Sequence, residues 1–571
     1  MSNLYTINGN DYNDAYLNLN NSGSSNMLLG SNEVQEATVV TNGYTAQYGR
    51  MAGSNLNFTT KSGSNSFHGD AAWLWNGTKL NANDWFNKPN AFNGYSATDR
   101  PHAVSNQWAG DVGGPVFRNK LFFYYDNEGI RYVLPAGGVP VYIPTAAYQT
   151  AVLANLATVS PASVPLYKQA FGVYNGASGY SRAVPVTADV DPALGCGDIY
   201  ATTGASTLPG LTYGTPCALT FQTTVNNLNT ERFQSIRGDW NVTDKDKLNF
   251  RYKGDRGVQA TSTDPINSNF SANSVQPSDE GQMNWTRIIN ASMVNQFIAS
   301  DLHYVAKFGP PNFGAATTTF PTTWLFSDGL FTTLGNFFAY PEGRVVEQYQ
   351  FVDDYTWTKG SHGIKFGLNY RRNDISDFSG SSEATGEITS LSMTAFSNGN
   401  VGGGGNLTQA FTKAPEVPVA YYSLGLYIQD EWRVNPKLKL TLGLRVDRNS
   451  DEVCQKNCFS RPSTSFTTMD HSASTPYNSS IKAVTTAFPG LEAAVWGPRG
   501  GFDWTPLGSK TVIRGGFGLF SDLYPGLLGS RAITNLPNYA LFTITSGPIS
   551  PAASGSVWSQ AAANNTALQS A

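Results

Sequence analysis

Charge is scarce in this chain. Asp, Glu, Lys and Arg together make up 14 % of its 571 residues, against about 25 % in ordinary soluble domains. The net charge is −4 and no basic block stands out, which argues against a nucleic-acid partner. No run of about 18 apolar residues occurs, so a transmembrane helix is excluded. A membrane β-barrel is not, because its signal per strand is far weaker. The first residues, MSNLYTINGNDYND, carry neither a basic n-region nor an apolar h-region, so they are not a signal peptide.

Catalytic and metal patterns are missing as well. The five His are singles, at 68, 102, 303, 362 and 471, with no HExxH and no pair at metal spacing. No GxSxG elbow offers a nucleophile. Gly516-Phe517-Gly518 reaches Ser521 where a dinucleotide loop needs its third glycine. Asp353-Asp354 and Asp430-Glu431 are adjacent, so on a strand they face opposite ways and cannot share acid–base work. No enzymatic activity, cofactor or metal is expected. The four cysteines contain no CxxC and have no His nearby. Their even count points to disulfides and an oxidising compartment. Three connectivities are open, and proximity favours Cys196 with Cys217 and Cys454 with Cys458.

What the chain does have is aromatics, at 13 %, and 57 glycines, with a mean hydropathy of −0.27. It also has alternation. In KLKLTLGLRVD, Leu438, Leu440, Leu442, Leu444 and Val446 interleave with Lys439, Thr441, Gly443, Arg445 and Asp447. Strand side chains point to opposite faces with period two, so one face is aliphatic and the other polar or small. The run from Lys437 to Asp447 matches the about 9–11 residues of a tilted membrane-spanning strand. Upstream, Tyr422, Leu424, Leu426 and Ile428 form the matching apolar face of a hairpin turned by Val434-Asn435-Pro436. The pattern recurs at Ile364–Tyr370, at Tyr349, Phe351, Tyr355 and Trp357, at Leu248–Tyr252, and at Ile513, Phe517 and Leu519. Val294, Ile298, Leu302 and Tyr304 share a face in the same way.

About thirteen strands are predicted, near 69–76, 105–113, 120–131, 231–240, 247–256, 283–289, 292–305, 346–357, 363–373, 420–432, 437–448, 497–504 and 510–521. Connections alternate long and short between them. A soluble sandwich has no reason to keep that order. An outer-membrane barrel does, with short periplasmic turns and long external loops. All four cysteines fall in long loops. The longest loop, 132–230, holds alanine-rich helical stretches in which Tyr148, Val152 and Leu156 share a face. Residues from Ser521 to Ala571 show no further clear strand. The fold class is therefore all-β, a transmembrane antiparallel barrel.

Residues 1–65 do not read as barrel. NEVQEATVVTNGYTAQYGR, TTKSGSNSFHGD, GDVGGPVFRNKLFFYYDNEGIR, YQFVDDYTWTKGSHGIKFGLNYRR, YIQDEWRVNPKLKLTLGLRVD and WGPRGGFDWTPLGSKTVIRGGFGLF follow one another in order. Together they resemble TonB-dependent outer-membrane receptors, in particular the Oar-like group, from the end of the plug domain onward. The resemblance implies a barrel of about 22 strands filled by a plug, ligand uptake driven by the inner-membrane TonB complex, and an outer-membrane location in a Gram-negative-type bacterium. It assigns 1–65 to the C-terminal part of the plug and 66–571 to a partial barrel. Where the family has a Gly pair and a β-branched residue, this chain reads Met51-Ala52-Gly53-Ser54-Asn55.

Tyr48, Gly49, Arg50, Gly53 and Lys61 are the plug-motif candidates. Arg50 and Lys61 are either solvated turn residues or bonds from the plug to acidic groups on the barrel wall. Arg251, Arg371, Arg445 and Arg514 fall on the polar parity that faces the lumen. They either wet the lumen or meet plug groups or an anionic ligand. The leading expectation is a TonB-dependent receptor for an unidentified external ligand. Its rivals are an outer-membrane adhesion or structural protein and a secreted glycan-binding protein. Thirteen strands cannot close an even-stranded barrel, so the chain is expected to be a fragment with an open side.

Overall fold

The computed structural model describes residues 3–570, except 20–22, 26, 28, 42–44, 86–87, 90–99, 101, 135–138, 201–203, 224–226, 327–329, 337–339, 380–384, 489–490, 492–493 and 507–509. Its main body is an antiparallel sheet of fourteen strands. Thirteen follow one another along the chain, from Ala71–Gly77 at one edge to Ile513–Gly518 at the other. The fourteenth, Ala272–Val275, is a short piece between Asp246–Ser262 and Met293–Gly309. The two edge strands do not pair with each other among the described residues.

Connections alternate as expected. Arg118–Lys120, Val242–Lys245, Ala291–Ser292, Gly360–Ser361 and Pro436–Lys437 turn the chain at one end, and long loops join the strands at the other. Asn119 at φ 63° and Gly360 at φ 60° supply the left-handed residues that such tight hairpins demand. Trp240, Trp357, Trp432 and Trp504 stand on the outer face close to the short turns. They form the aromatic girdle of a membrane interface. Leu442, Ile428, Leu426, Phe351 and Phe250 lie exposed further along that face. The strand Glu416–Asn435 has 20 residues, or roughly 66 Å at about 3.3 Å each. Even tilted by about 45°, it rises well past an apolar core about 30 Å thick. The sheet therefore stands above the membrane on the long-loop side.

One apolar set reads differently from its sequence. Ile298, Leu302 and Tyr304 are buried and face inward, and Val294 shares their parity. On Met293–Gly309 the outward positions are Phe297, Ala299 and Asp301, opposite Asp353, Phe351 and Tyr349. The inner face is apolar here because it packs on an apolar part of the N-terminal region, around Ile7, Tyr12 and Ala15.

Residues 4–60 form a separate four-stranded sheet in the order Asn10–Asp11, Leu4–Ile7, Asn55–Thr60, Val34–Val40. Leu4–Ile7 runs parallel to Asn55–Thr60, and the other pairings are antiparallel. Its side chains and backbone bond to inner-face residues on strand after strand, from Asp111 round to Arg499. The large sheet wraps around it.

The long loops fold together into a cap. Helices Ala146–Val159 and Val164–Asn175 pack Tyr148, Val152, Leu156, Tyr167 and Phe171 against Trp324 and Phe396 in one apolar cluster. Thr145 starts the first helix by accepting from the Tyr148 amide. Cys196 and Cys217 are bonded inside that cluster, and Cys454 and Cys458 inside a smaller one beside Phe459. The segment after Ser521, expected to lack strands, has two. Tyr539–Ile544 and Gly547–Pro548 join loop strands Asn406–Thr412 and Asn400–Val401 in the cap, not the barrel sheet.

Candidate functional site

The interface between the N-terminal sheet and the barrel wall is built from ions and amides. Barrel strands put alternate residues into the lumen, so a polar parity becomes a polar wall. Arg251 projects from it and reaches Glu33 of the N-terminal region at 2.6 Å and Glu280 of the next wall strand at 2.6 Å. All three are buried. Ser235 Oγ also donates to Glu33, at 2.7 Å. Burial alone would push the Glu33 carboxyl up, but Arg251 and Lys253 offset this and hold it below the usual range. Lys253 Nζ donates to Tyr12 Oη at 3.1 Å and sits over the Tyr12 and Phe233 rings.

A second knot centres on Asp11. Its carboxylate takes Arg50 from the same N-terminal sheet at 2.8 Å and Arg371 from the wall at 3.0 Å. Arg371 also donates to the Asn13 carbonyl and to Gln348. Arg50 thus finds its acid within its own segment rather than on the wall, and Asp11 passes the contact outward. Burial pulls the Arg50 guanidinium down to about 10, against the pull of Asp11. The residue is held at φ 69°, a conformation of order 1–3 kcal/mol in strain for a side chain that is not glycine. Its carbonyl accepts from the Leu523 amide at 3.0 Å, which ties this turn to the cap.

Lys61 does reach the wall, at Asp111, 2.9 Å away. Arg445 pairs with Asp447 at 2.8 Å and donates to the carbonyls of Ala46 and Gln47. Gly49 lies against that guanidinium so closely that a Cβ would sit 1.9 Å from Arg445 Nε; only glycine fits. The Tyr48 carbonyl accepts from Arg499 Nη1 at 2.5 Å. Gly53 lies in the bend after this turn, before Ser54, whose amide donates to Asn3. Arg514 shares the lumen parity but stays on the edge strand. It pairs with Asp503 at 2.9 Å and is three-quarters exposed.

Among the described residues, three of the four arginines therefore touch the N-terminal region, and Arg514 does not. Parity alone could find them. It could not find their partners Asp11 and Glu33, which lie at a strand end and in a turn where no period operates. Further wall acids take backbone amides from the N-terminal region. Glu128 accepts from Asn32 at 2.6 Å and Glu231 from Ser25 at 2.9 Å. Among the described residues no group of three or more His, Cys, Asp or Glu is placed to hold a metal.

The family described as outer membrane beta barrel domain matches residues 59–571. Among solved structures, the outer membrane transporter YddB from Escherichia coli superposes with a TM-score of 0.54 at 11 % identity, over 94 % of this chain and 55 % of that one. The siderophore receptor PirA from Pseudomonas aeruginosa gives 0.45 at 11 % identity, over 90 % of this chain and 53 % of that one. The TonB-dependent transporter Oar of Myxococcus xanthus is 29 % identical over 123 residues, which are 21 % of this chain and 11 % of that protein. The chain spans about half the length of the structures it resembles. With its girdle, its alternating turns and loops and its matched domain, this chain belongs to the outer-membrane β-barrel family and resides in the outer membrane.

Proposed function

We propose that the chain is the receptor portion of a TonB-dependent uptake system, with residues 1–65 acting as part of a plug and 66–571 as the barrel and its external cap. The observation that carries this reading is the polar attachment of the N-terminal sheet. A segment meant to stay would bury apolar surface, which water cannot replace. Here the ties are charge-assisted hydrogen bonds, which water replaces when the segment shifts. The likeness to Oar over part of the chain supports the same reading. The ligand arrives from outside through the cap and is unidentified. The TonB complex of the inner membrane supplies the energy.

The folded cap also favours a second reading, an adhesion protein that never transports. One cross-link separates the two. A Cβ on Gly443 would lie 3.0 Å from Ala46 Cβ, slightly inside the about 3.5–4.5 Å of a disulfide. Ala46→Cys with Gly443→Cys should pin the segment to the wall. The probe is whatever molecule mass spectrometry finds on the purified protein. Its accumulation in cells should stop when the link is oxidised and resume on reduction. The single-cysteine variants control for effects on the native disulfides. Accumulation that ignores the link rules out plug movement, and adhesion without any accumulation favours the second reading.

A further inference from the structure

The outward face of the wall carries a basic patch with surplus charge. Strands Leu121–Leu134, Asn227–Asn241 and Asp246–Ser262 are neighbours in the sheet. They present Arg131, Arg232 and Arg256 on the face that bears Trp240 and Phe250. Arg232 lies directly opposite Arg256, and Arg131, opposite Thr230, is one diagonal step from Arg232. Like charges directly opposite on a sheet destabilise it, and diagonal neighbours lie within reach of long side chains. Arg256 is held by Asp279 through two bonds of 2.8 Å. That carboxylate also accepts from Tyr252 Oη, so it is already engaged. Arg131 and Arg232 are exposed and have no acidic partner among the described residues. From Phe123 to Val133, Leu228 to Trp240 and Leu248 to Val258, the outward positions hold no Asp or Glu.

Height identifies what lies against the patch. Arg232 stands eight residues up its strand from the girdle residue Trp240. That is about 26 Å of strand at about 3.3 Å each, or about 19 Å along the membrane normal at a tilt of about 45°. The apolar band of such a barrel is about 25 Å tall, and an arginine stem carries its head group further toward water. The three guanidiniums therefore emerge at the upper rim of the band, on the long-loop side. Trp108 marks the same rim. It pairs with Gly129, which in turn lies opposite Arg232. Its indole crosses that glycine so closely that a Cβ there would sit 2.1 Å from the ring. We infer that Arg131, Arg232 and Arg256 clamp the phosphate monoester of an outer-leaflet lipid. Three cations less Asp279 leave a surplus of two, and a phosphate monoester carries about −1.5 to −2 near neutral pH. Its oxygens suit forked guanidinium donors. The acyl chains lie below, along exposed Ile236 and Phe250. The clamp is outside the barrel and does not depend on whether the protein transports.

The test uses the full chain, purified in a neutral maltoside detergent and stripped of lipid. It is titrated with diphosphoryl lipid A, a glycolipid bearing phosphate monoesters. Native mass spectrometry should show the lipid retained, and the thermal midpoint should rise. Arg131→Gln combined with Arg232→Gln should cut retention about tenfold or more, the effect of losing one charged hydrogen bond. Without lipid, the same variant should melt no lower than the parent, because it relieves repulsion between like charges. That arm separates lost binding from a damaged fold. Arg372, an outward arginine paired with Asp374 at 3.1 Å, supplies the control, and Arg372→Gln should leave retention unchanged. Phosphatidylglycerol, a diester, should bind more weakly, and inorganic phosphate alone should not move the midpoint. Full retention by the double variant, an equal loss in Arg372→Gln, equal binding of the diester, or an equal shift with inorganic phosphate would each overturn the inference.

Discussion

The cap and the N-terminal sheet are both folded bodies attached to one barrel, and they are held by opposite means. The cap is closed by a cluster of aromatic and aliphatic side chains with a disulfide inside it. The N-terminal sheet shares only a small apolar cluster with the wall. The rest of its attachment is polar and includes Arg251, Arg371, Arg445, Lys61 and their partners. Apolar burial is lost only by exposing surface to water, so it resists small displacements. Ion pairs and amide contacts are exchanged for hydration at modest net change. The cap's attachment therefore resists displacement more than that of the N-terminal sheet.

The largest effect should come from the cap. Trp324 is fully buried and stacks among Tyr167, Phe320 and Phe396. Trp324→Ala should lower cap stability by about 3–5 kcal/mol, read as urea-dependent proteolysis of the loops, while amides of residues 4–60 keep their exchange rates. If both regions loosen together, the contrast between them is wrong. The wall comes next. Leu442→Arg should lower stability by about 2–4 kcal/mol in a bilayer refolding titration if the site is near the midplane. Thr441→Arg, one residue away on the lumen side, should be nearly neutral. Equal effects would invert the assignment of faces.

Glu33→Gln should be smaller, because Arg251 keeps Glu280. Loss of one charged hydrogen-bond partner is worth about 1.5–3 kcal/mol. Exchange of residues 4–60 should quicken by a corresponding factor, with the cap unchanged. A separate effect is a pH slope in the external loops. Glu452, in an external loop, is pushed up to about 8 by burial and packs against Gly529. A carboxyl raised in the folded state binds its proton more tightly there than when unfolded. Its share of stability is full below about 4.3, the unfolded value, and declines as pH rises toward about 8. Glu452→Gln should flatten that decline in the thermal midpoint of the cap. An unchanged slope would place the titrating group elsewhere.

The barrel wall was legible in the sequence because each strand lies between two unlike environments. Leu442 beside Thr441 records that difference directly. The reading failed where the environments became alike. On Met293–Gly309 the lumen side meets Ile7 and Tyr12, so Ile298 and Leu302 carry no mark of facing inward. The cap strands were illegible for another reason. Tyr539–Ile544 is a single short run whose partner, Asn406–Thr412, lies in a different loop, and no local turn announces a pairing over that distance. In the candidate site, strand parity pointed to Arg251, Arg371 and Arg445, while their acids came from positions without periodicity. Arg514 obeys the same parity at the sheet edge, where none of the described N-terminal residues bonds to it.

Asp11 has a mechanical meaning. Leu4–Ile7 and Asn10–Asp11 pair as an antiparallel hairpin that carries Asp11. A pull that peels this hairpin loads the Asp11 carboxylate. When it leaves, it takes the counter-charge of two arginines at once. Arg50 and Arg371 are then left near each other without their shared counter-charge, and like charges repel. The attachment yields abruptly at that point, like a catch whose two halves spring apart once the pin is drawn.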